Sequence, residues 1–472
     1  MANRRSLGFV GVAIAATVAI SACGGGGGRG GNPESSSSSS GNGSSASGTA
    51  AKFGTLDSPC GKGNATGATD RGVTNSTIAI GYGDDRGFSG APGLNKEMGD
   101  GVKAMIKWCN DQGGINGRQI TGHFYDAKIS LANNIMTQAC NTDFMMVGEG
   151  FAADGSAEAT RVKCNMVAVP GFSVLADFAN GPMMFQAVPN PVDYTPASSY
   201  YQAVKLFPDA VKKFAFVDTT LEATHVSILK DKTAMQQAGF VFAGCDITIN
   251  YFGEPDYKPF VRKLQQCGAK MIFTNVTPGP VLFNFITAMH QLNYNPIFLM
   301  EAADYTAPFA AWNTQGYANN TYVREAFPPL EASAEVPAVK DYLSIVTGNG
   351  GAVSQLGEQA VSSFLLWATA AKSCGSTLTK QCIVNYLSKV HDWTAGGLHA
   401  AGDTGKNKPP QCGVLLHLNG TKWEQTYPSK LGQLDCDPKY IAAVPQNLWG
   451  TKLNSDRIAT TFLTPNVISP QS

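Results

Sequence analysis

Hydrophobic positions along this chain recur in two alternating rhythms. Residues 77–82 (Thr-Ile-Ala-Ile-Gly-Tyr) read as a strand, followed by a Gly-rich loop. Over residues 94–111 the apolar positions Val102, Met105, Ile106 and Cys109 fall three and four apart, which gives a helix one apolar face. Gly113 and Gly114 end it. The pattern continues with a strand at 119–125, a helix at 131–140, a buried strand at 143–147, a helix near 156–163 and a strand at 166–169. After Pro189-Asn190-Pro191 a second series begins. It predicts helices over 194–207, 223–238, 257–266 and 281–292, with strands at 214–217, 240–249, 270–274 and 297–300. Strict β-α alternation argues for parallel, doubly wound sheets, and two runs split by a Pro-rich link predict two Rossmann-like lobes facing a cleft. Residues 357–371 have the apolar spacing of a further core helix.

The first 50 or so residues follow neither rhythm. Arg4 and Arg5 precede an uncharged apolar stretch at 7–20, too short to span a bilayer but suited to a signal segment. It ends in Ile20-Ser21-Ala22-Cys23, which resembles a bacterial lipobox, so 1–22 is read as a lipoprotein signal peptide and Cys23 as the lipid-bearing residue. Residues 23–56 are then a Gly/Ser-rich tether, a coil spanning on the order of 30 Å. Export to the outer face of a bacterial membrane or the periplasm follows.

Composition narrows the function. Lysine plus arginine and aspartate plus glutamate both number 35, so the chain lacks the basic excess of a nucleic-acid binder. Of 11 cysteines, setting Cys23 aside leaves ten, an even number that fits a disulfide framework. Sequence proximity pairs Cys140 with Cys164, Cys245 with Cys267, Cys374 with Cys382 and Cys412 with Cys436, leaving Cys60 for Cys109. No CxxC occurs and the six histidines are scattered, so neither a metal site nor a cofactor is expected. There is no HExxH and no GxSxG, which weighs against an enzyme.

Residues 101–118, GVKAMIKWCNDQGGINGR, resemble the first-helix end of type I periplasmic binding proteins, in the leucine/isoleucine/valine-binding branch. Phe124-Tyr125-Asp126, Val147-Gly148, Val169-Pro170-Gly171 and the segment from Asp256-Tyr257 to Leu264 fall where that family has its equivalents. The resemblance implies an α/β fold of two lobes joined by a three-stranded hinge. It divides the chain into an N-lobe (72–189, with a return at 324–393), a C-lobe (190–323, with a tail at 394–445) and an extension (446–472). It also implies a monomer that hands a small polar solute, a branched-chain amino acid, amide or related compound, to the permease of an ABC importer. Its ligand contacts map onto Ala152, Ala153 and Asp154 after the third strand, Phe172 and Ser173 after the fourth, Thr219 after Val217, and either Glu301 or Asp304. Alanines stand where hydroxyls that hold a carboxylate are expected, which favours a neutral or cationic solute over an α-amino acid. Phe88 in the first loop either lines the cleft or caps the core. A sensor lipoprotein and a cell-envelope hydrolase are the competing readings.

Overall fold

The computed structural model describes residues 51–471. The expected signal segment, Cys23 and the tether up to residue 50 lie outside the described residues. The folded body starts earlier than the composition indicates: Lys52–Phe53 (β1) pairs with Leu56–Asp57 (β2), and Phe53 is fully buried in the first core. Among the described residues no helix is long and apolar enough to cross a membrane.

The first lobe alternates Thr77–Asp84 (β3), Lys96–Asp111 (α1), Gln119–Asp126 (β4), Ala132–Thr142 (α2), Met145–Val147 (β5), Glu158–Lys163 (α3), Ala168–Val169 (β6) and Ala176–Ala179 (α4). Its sheet is parallel in the order β4-β3-β5-β6. Gly148, just past β5, has φ +74, which lets the chain turn beneath Val102 and Ala360 where a Cβ would clash.

The chain then crosses to the second lobe through Tyr194–Pro196 (β7) and Ser198–Leu206 (α5). The hydrophobic spacing predicted helix from residue 194, but Pro196 holds the residues before it extended, and β7 pairs with Ile441–Ala443 (β16) near the far end of the chain. Phe214–Thr219 (β8), Glu222–Ala238 (α6), Ile247–Ile249 (β9), Lys258–Gln266 (α7), Met271–Thr274 (β10), Pro280–Gln291 (α8), Ile297–Met300 (β11), Ala307–Trp312 (α9) and Thr321–Glu325 (β12) follow. The strand expected over 240–249 shrinks to β9 plus an isolated bridge between Phe214 and Phe242, because Gly244 turns the backbone at φ +76.

After β12 the chain returns to the first lobe as Pro337–Gly348 (α10), Gln355–Cys374 (α11) and Lys380–Leu387 (α12). Helix α11 supplies Phe364, Leu365, Leu366 and Trp367 to the first core, all fully buried. It lies so close to α1 that a Cβ on Gly101 would come within 3.2 Å of the Gly357 carbonyl and of Val361. A third crossing brings the chain back as Cys412–Asn419 (β13), Lys422–Tyr427 (β14) and Asp435–Cys436 (β15). The second sheet runs β14-β13-β12-β11-β10-β8-β9, parallel from β9 to β12 and antiparallel beyond, with β15 paired to β13. One core lies on each of its faces. The crossings pack together: the Ala400 N–H donates to the Ala326 carbonyl at 3.1 Å and Thr404 Oγ1 to the Gln186 carbonyl at 2.9 Å.

Among the described residues there are five disulfides, Cys60–Cys109, Cys140–Cys164, Cys245–Cys267, Cys374–Cys382 and Cys412–Cys436, the pairs that sequence proximity picks out. The extension past residue 446 runs back over the first lobe, where Phe462, Val467 and Ile468 pack against its core. Arg457 there grips Asp193 through two hydrogen bonds of 2.6 and 2.7 Å.

Candidate functional site

In open α/β sheets, ligands bind beyond the carboxyl ends of the strands. Here those ends, from both lobes, enclose a cavity of about 250 Å³. The first lobe contributes Ala152 after β5, Phe172 and Ser173 after β6, and Gln355, Leu356 and Gln359 from the first turns of α11. The second contributes Leu221 and Thr224 after β8, Lys230 and Asp231 on α6, Tyr251 after β9, Asn275 after β10, Glu301 after β11, and Arg324 and Glu325 at the end of β12. Asn190 sits on the first crossing between them.

The floor is ionic. Arg324 donates to both oxygens of Glu301 at 2.8 Å each, and its guanidinium lies 3.4 Å from Asp231. Tyr200 donates to Asp231 at 2.7 Å. Burial pushes the Glu301 carboxyl up, and the adjacent Arg324 opposes that shift. Lys230 donates to Asn190 Oδ1 at 2.6 Å, and burial pushes its ammonium down to about 8. Asn190 in turn donates to the Ser173 carbonyl at 2.9 Å, which links the floor to the first lobe.

A second group of lining residues carries acceptor oxygens without partners. The carboxyl oxygens of Glu325 and the amide oxygens of Gln355, Gln359 and Asn275 are buried without a hydrogen-bond partner. Burial, reinforced by Glu358, pushes the Glu325 carboxyl well above the usual range. At the mouth, Phe88 of the first lobe stacks on Tyr251 of the second, ring centroids 6.2 Å apart, and meets Phe252 at 5.8 Å.

Of the residues singled out in the sequence, Ala152, Phe172, Ser173 and Glu301 line the cavity. The others stand outside its lining. Asp154 is buried and accepts from the backbone N–H groups of Gly155, Val174 and Leu175, at 2.7, 3.0 and 2.7 Å for residues 155, 175 and 174, so it braces two loops. Ala153 belongs to the same turn, its carbonyl accepting from Ser156 Oγ at 2.7 Å. Thr219 bonds to Thr224 and accepts from the Leu221 N–H, which leaves Thr224 to face the cavity. Asp304 caps its own turn by accepting from the Glu301 N–H at 3.1 Å. Phe88 is held against the opposite lobe rather than within the lining.

Lys230, Asp231, Asn190, Arg324, Glu325, Gln355 and Gln359 escaped sequence reading. Two signals were there to use. A Lys-Asp pair falls on the face of α6 that turns inward, and the mixed strand β12 ends in adjacent Arg and Glu. Tyr251, in the loop after β9, brings an aromatic ring to the lining. Among the described residues, no group of three or more His, Cys, Asp or Glu side chains is placed to hold a metal ion.

Comparison with known proteins agrees with this fold. The family model described as periplasmic binding protein matches residues 77–422. No curated protein matches the chain significantly. Among solved structures, the fold is similar to a fatty acid ABC transporter substrate-binding protein from Thermomonospora curvata, with TM-score 0.65 and 16% identity over 80% of this chain and 97% of that one. It is also similar to the branched-chain amino acid transporter substrate-binding protein LivJ from Streptococcus pneumoniae, solved with isoleucine, with TM-score 0.62 and 18% identity over 75% of this chain and 100% of that one. The leucine-binding protein LivK from Thermotoga maritima gives TM-score 0.62 at 12% identity, over 77% of this chain and 99% of that one. With the family model spanning both lobes and both sheets, the chain belongs to the periplasmic binding protein family.

Proposed function

We propose that this protein is the extracytoplasmic solute receptor of an ABC importer, tethered to the membrane through Cys23, and that it is a binder rather than an enzyme. It captures a small polar solute in the cavity between its lobes and presents the closed form to the permease. The observation that carries this reading is the cavity itself: about 250 Å³, built from the strand ends of both lobes and gated by an aromatic contact across them. Enclosed sites of that kind bury most of a small ligand and couple its binding to lobe closure.

The relatives bind different things, a fatty acid transporter cargo in one and isoleucine in another. The lining here favours a neutral or cationic solute with an apolar portion. Ala152 offers no hydroxyl to a carboxylate, and Arg324 is already saturated by Glu301 and Asp231. A thermal-shift screen of the folded body against amino acids, amides, polyamines and short organic acids tests the proposal. A solute at a hundredfold excess over its dissociation constant adds about 2.7 kcal/mol of stability, a clear rise in melting temperature. A well-folded protein that no member of such a library stabilises would contradict the receptor reading and favour a sensor with a protein ligand.

A further inference from the structure

The region that matches the family model ends at residue 422, after the third crossing between the lobes. The chain beyond it makes a fourth. In β16, Ile441–Ala443 pairs antiparallel with β7, and the Val444 N–H extends the ladder to the Asp193 carbonyl at 2.9 Å. Ala442 is buried in a core of the second sheet, and the Ala443 carbonyl accepts from Gln237 of α6 at 3.0 Å, so this strand belongs to the second lobe. By Trp449 the chain has changed sides. Trp449 and Leu453 pack on Ala176 and Ala179 of α4 and on Val192, and Thr451 Oγ1 donates to Asp177 of α4 at 2.8 Å. Phe462, Val467 and Ile468 then reach the first core, and the Gln471 N–H donates to Asn385 of α12 at 2.8 Å. The link between the two attachments, residues 445–448, is short. It is wound into one turn at Gln446–Leu448 and closed by Trp449 Nε1, which donates to the Val444 carbonyl at 3.3 Å.

Arg457 ties two of the other crossings together. On the first crossing its guanidinium donates to both oxygens of Asp193, at 2.6 and 2.7 Å. On the third it donates to the carbonyls of Lys406 and Asn407, the latter at 3.0 Å. It also lies over the Tyr194 ring of β7, 4.8 Å from the centroid. The backbone that carries it is anchored in turn. The Arg457 carbonyl accepts from Asn180 Nδ2 at 2.9 Å, and the Ala459 N–H donates to the Asn180 carbonyl at 2.8 Å. Asn180 Oδ1 accepts from the Val192 N–H at 2.8 Å, which fixes the start of the first crossing to the same residue. A two-pronged arginine–carboxylate pair is specific in direction as well as in distance, so it resists rotation of one partner against the other.

We propose that residues 441–471 form a strap across the hinge, which limits how far the lobes open and keeps the empty protein near its closed arrangement. Hinged lobes swing through backbone changes concentrated in a few crossing residues. Here the first crossing is not a lone strand, because β16 is paired along it. A rotation that alters the angle between the first and third crossings separates Arg457 from one of them. A rotation that draws Val444 away from Trp449 must unwind the short link. The closed arrangement has its own contact at the mouth, Phe88 against Tyr251 and Phe252. Apparent affinity falls in proportion to the fraction of protein that is competent to bind, so a strap that raises this fraction tightens binding without touching the solute. The inference concerns the empty protein, and its failure would leave the receptor reading standing.

The experiment is pulsed dipolar spectroscopy on the full chain without solute. Spin labels replace Ser89 and Pro255, exposed positions beside Phe88 and Phe252 on opposite sides of the mouth. They are attached through non-cysteine chemistry, which leaves the disulfides intact. Two variants stand beside the natural chain. Arg457→Gln removes the clamp. The other carries about eight Gly/Ser residues inserted after the exposed Gln446, a coil of roughly 15 Å that slackens the link while the extension still docks. The natural chain should show one narrow population of distances. The inserted chain should add a longer and broader population at an unchanged melting temperature, and Arg457→Gln should move the same way. The insertion decides the matter, since it spares every contact of the folded body. An inserted chain with the natural distance distribution would overturn the inference, whatever Arg457→Gln does.

Discussion

Arg324 stands between two acids, and removing its guanidinium strands both. Glu301 and Asp231 would then be charges in a site where Asp231 is 1% exposed, with the hydroxyls of Tyr200 and Ser227 as the side-chain donors left to Asp231. Arg324→Met should therefore cost roughly 3–5 kcal/mol, read as a lower midpoint in urea unfolding. Glu149 makes the opposite case. It is 2% exposed with both oxygens unpartnered, and burial pushes its carboxyl up to about 8. A carboxyl whose folded value is raised contributes stability that is complete below its unfolded value near 4.3 and is lost as pH climbs toward the folded one. The native protein should lose stability relative to Glu149→Gln between about pH 4.5 and 8, with a limiting slope of about 1.4 kcal/mol per pH unit, and level off above. Parallel denaturation curves at four pH values would show it; a constant difference would refute it. Individual site residues were only partly legible in the sequence. Loop positions such as Ala152 and Ser173 follow from the strand ends that precede them. Lys230 and Glu325 do not, because their role depends on which face of a helix or strand turns inward, and charged residues usually turn outward.

Elements were more legible than residues, since periodicity over ten or more positions averages out single exceptions. The long α11 announced itself through its apolar spacing, and its burial on all sides follows from packing beneath α1. Where an element was misjudged, one residue overrode the pattern: Pro196 turned the start of an expected helix into β7, and Gly244 cut an expected strand to the three residues of β9. Staples between elements yield a quantitative expectation. Cys60–Cys109 closes a loop with a sequence separation of 49, whereas Cys374–Cys382 closes one of 8. On a chain-entropy basis the first is worth about 4 kcal/mol and the second about 2.6. Replacing each pair by serines should thus destabilise the protein more for Cys60–Cys109, by about 1.5 kcal/mol; equal losses would show that strain or residual denatured-state structure dominates.

At the scale of the whole molecule, the two-lobed architecture follows from two β-α series split at Pro189-Asn190-Pro191, and it was legible because alternation of that kind leaves few other topologies. The folded extension was not, since residues 446–471 have no periodicity of their own and are held by contacts with distant parts of the chain, such as Arg457 with Asp193. The central claim is that a solute sits between the lobes, and titration calorimetry of the natural protein beside its Ala303→Trp form tests it most directly. Ala303 lines the cavity and is half-buried, so an indole there fills the space without opening a core. The account predicts one solute per chain for the natural protein and a loss of affinity of at least about a hundredfold for the filled form, with its melting temperature retained. Undiminished binding to the filled form would place the solute elsewhere and contradict the account.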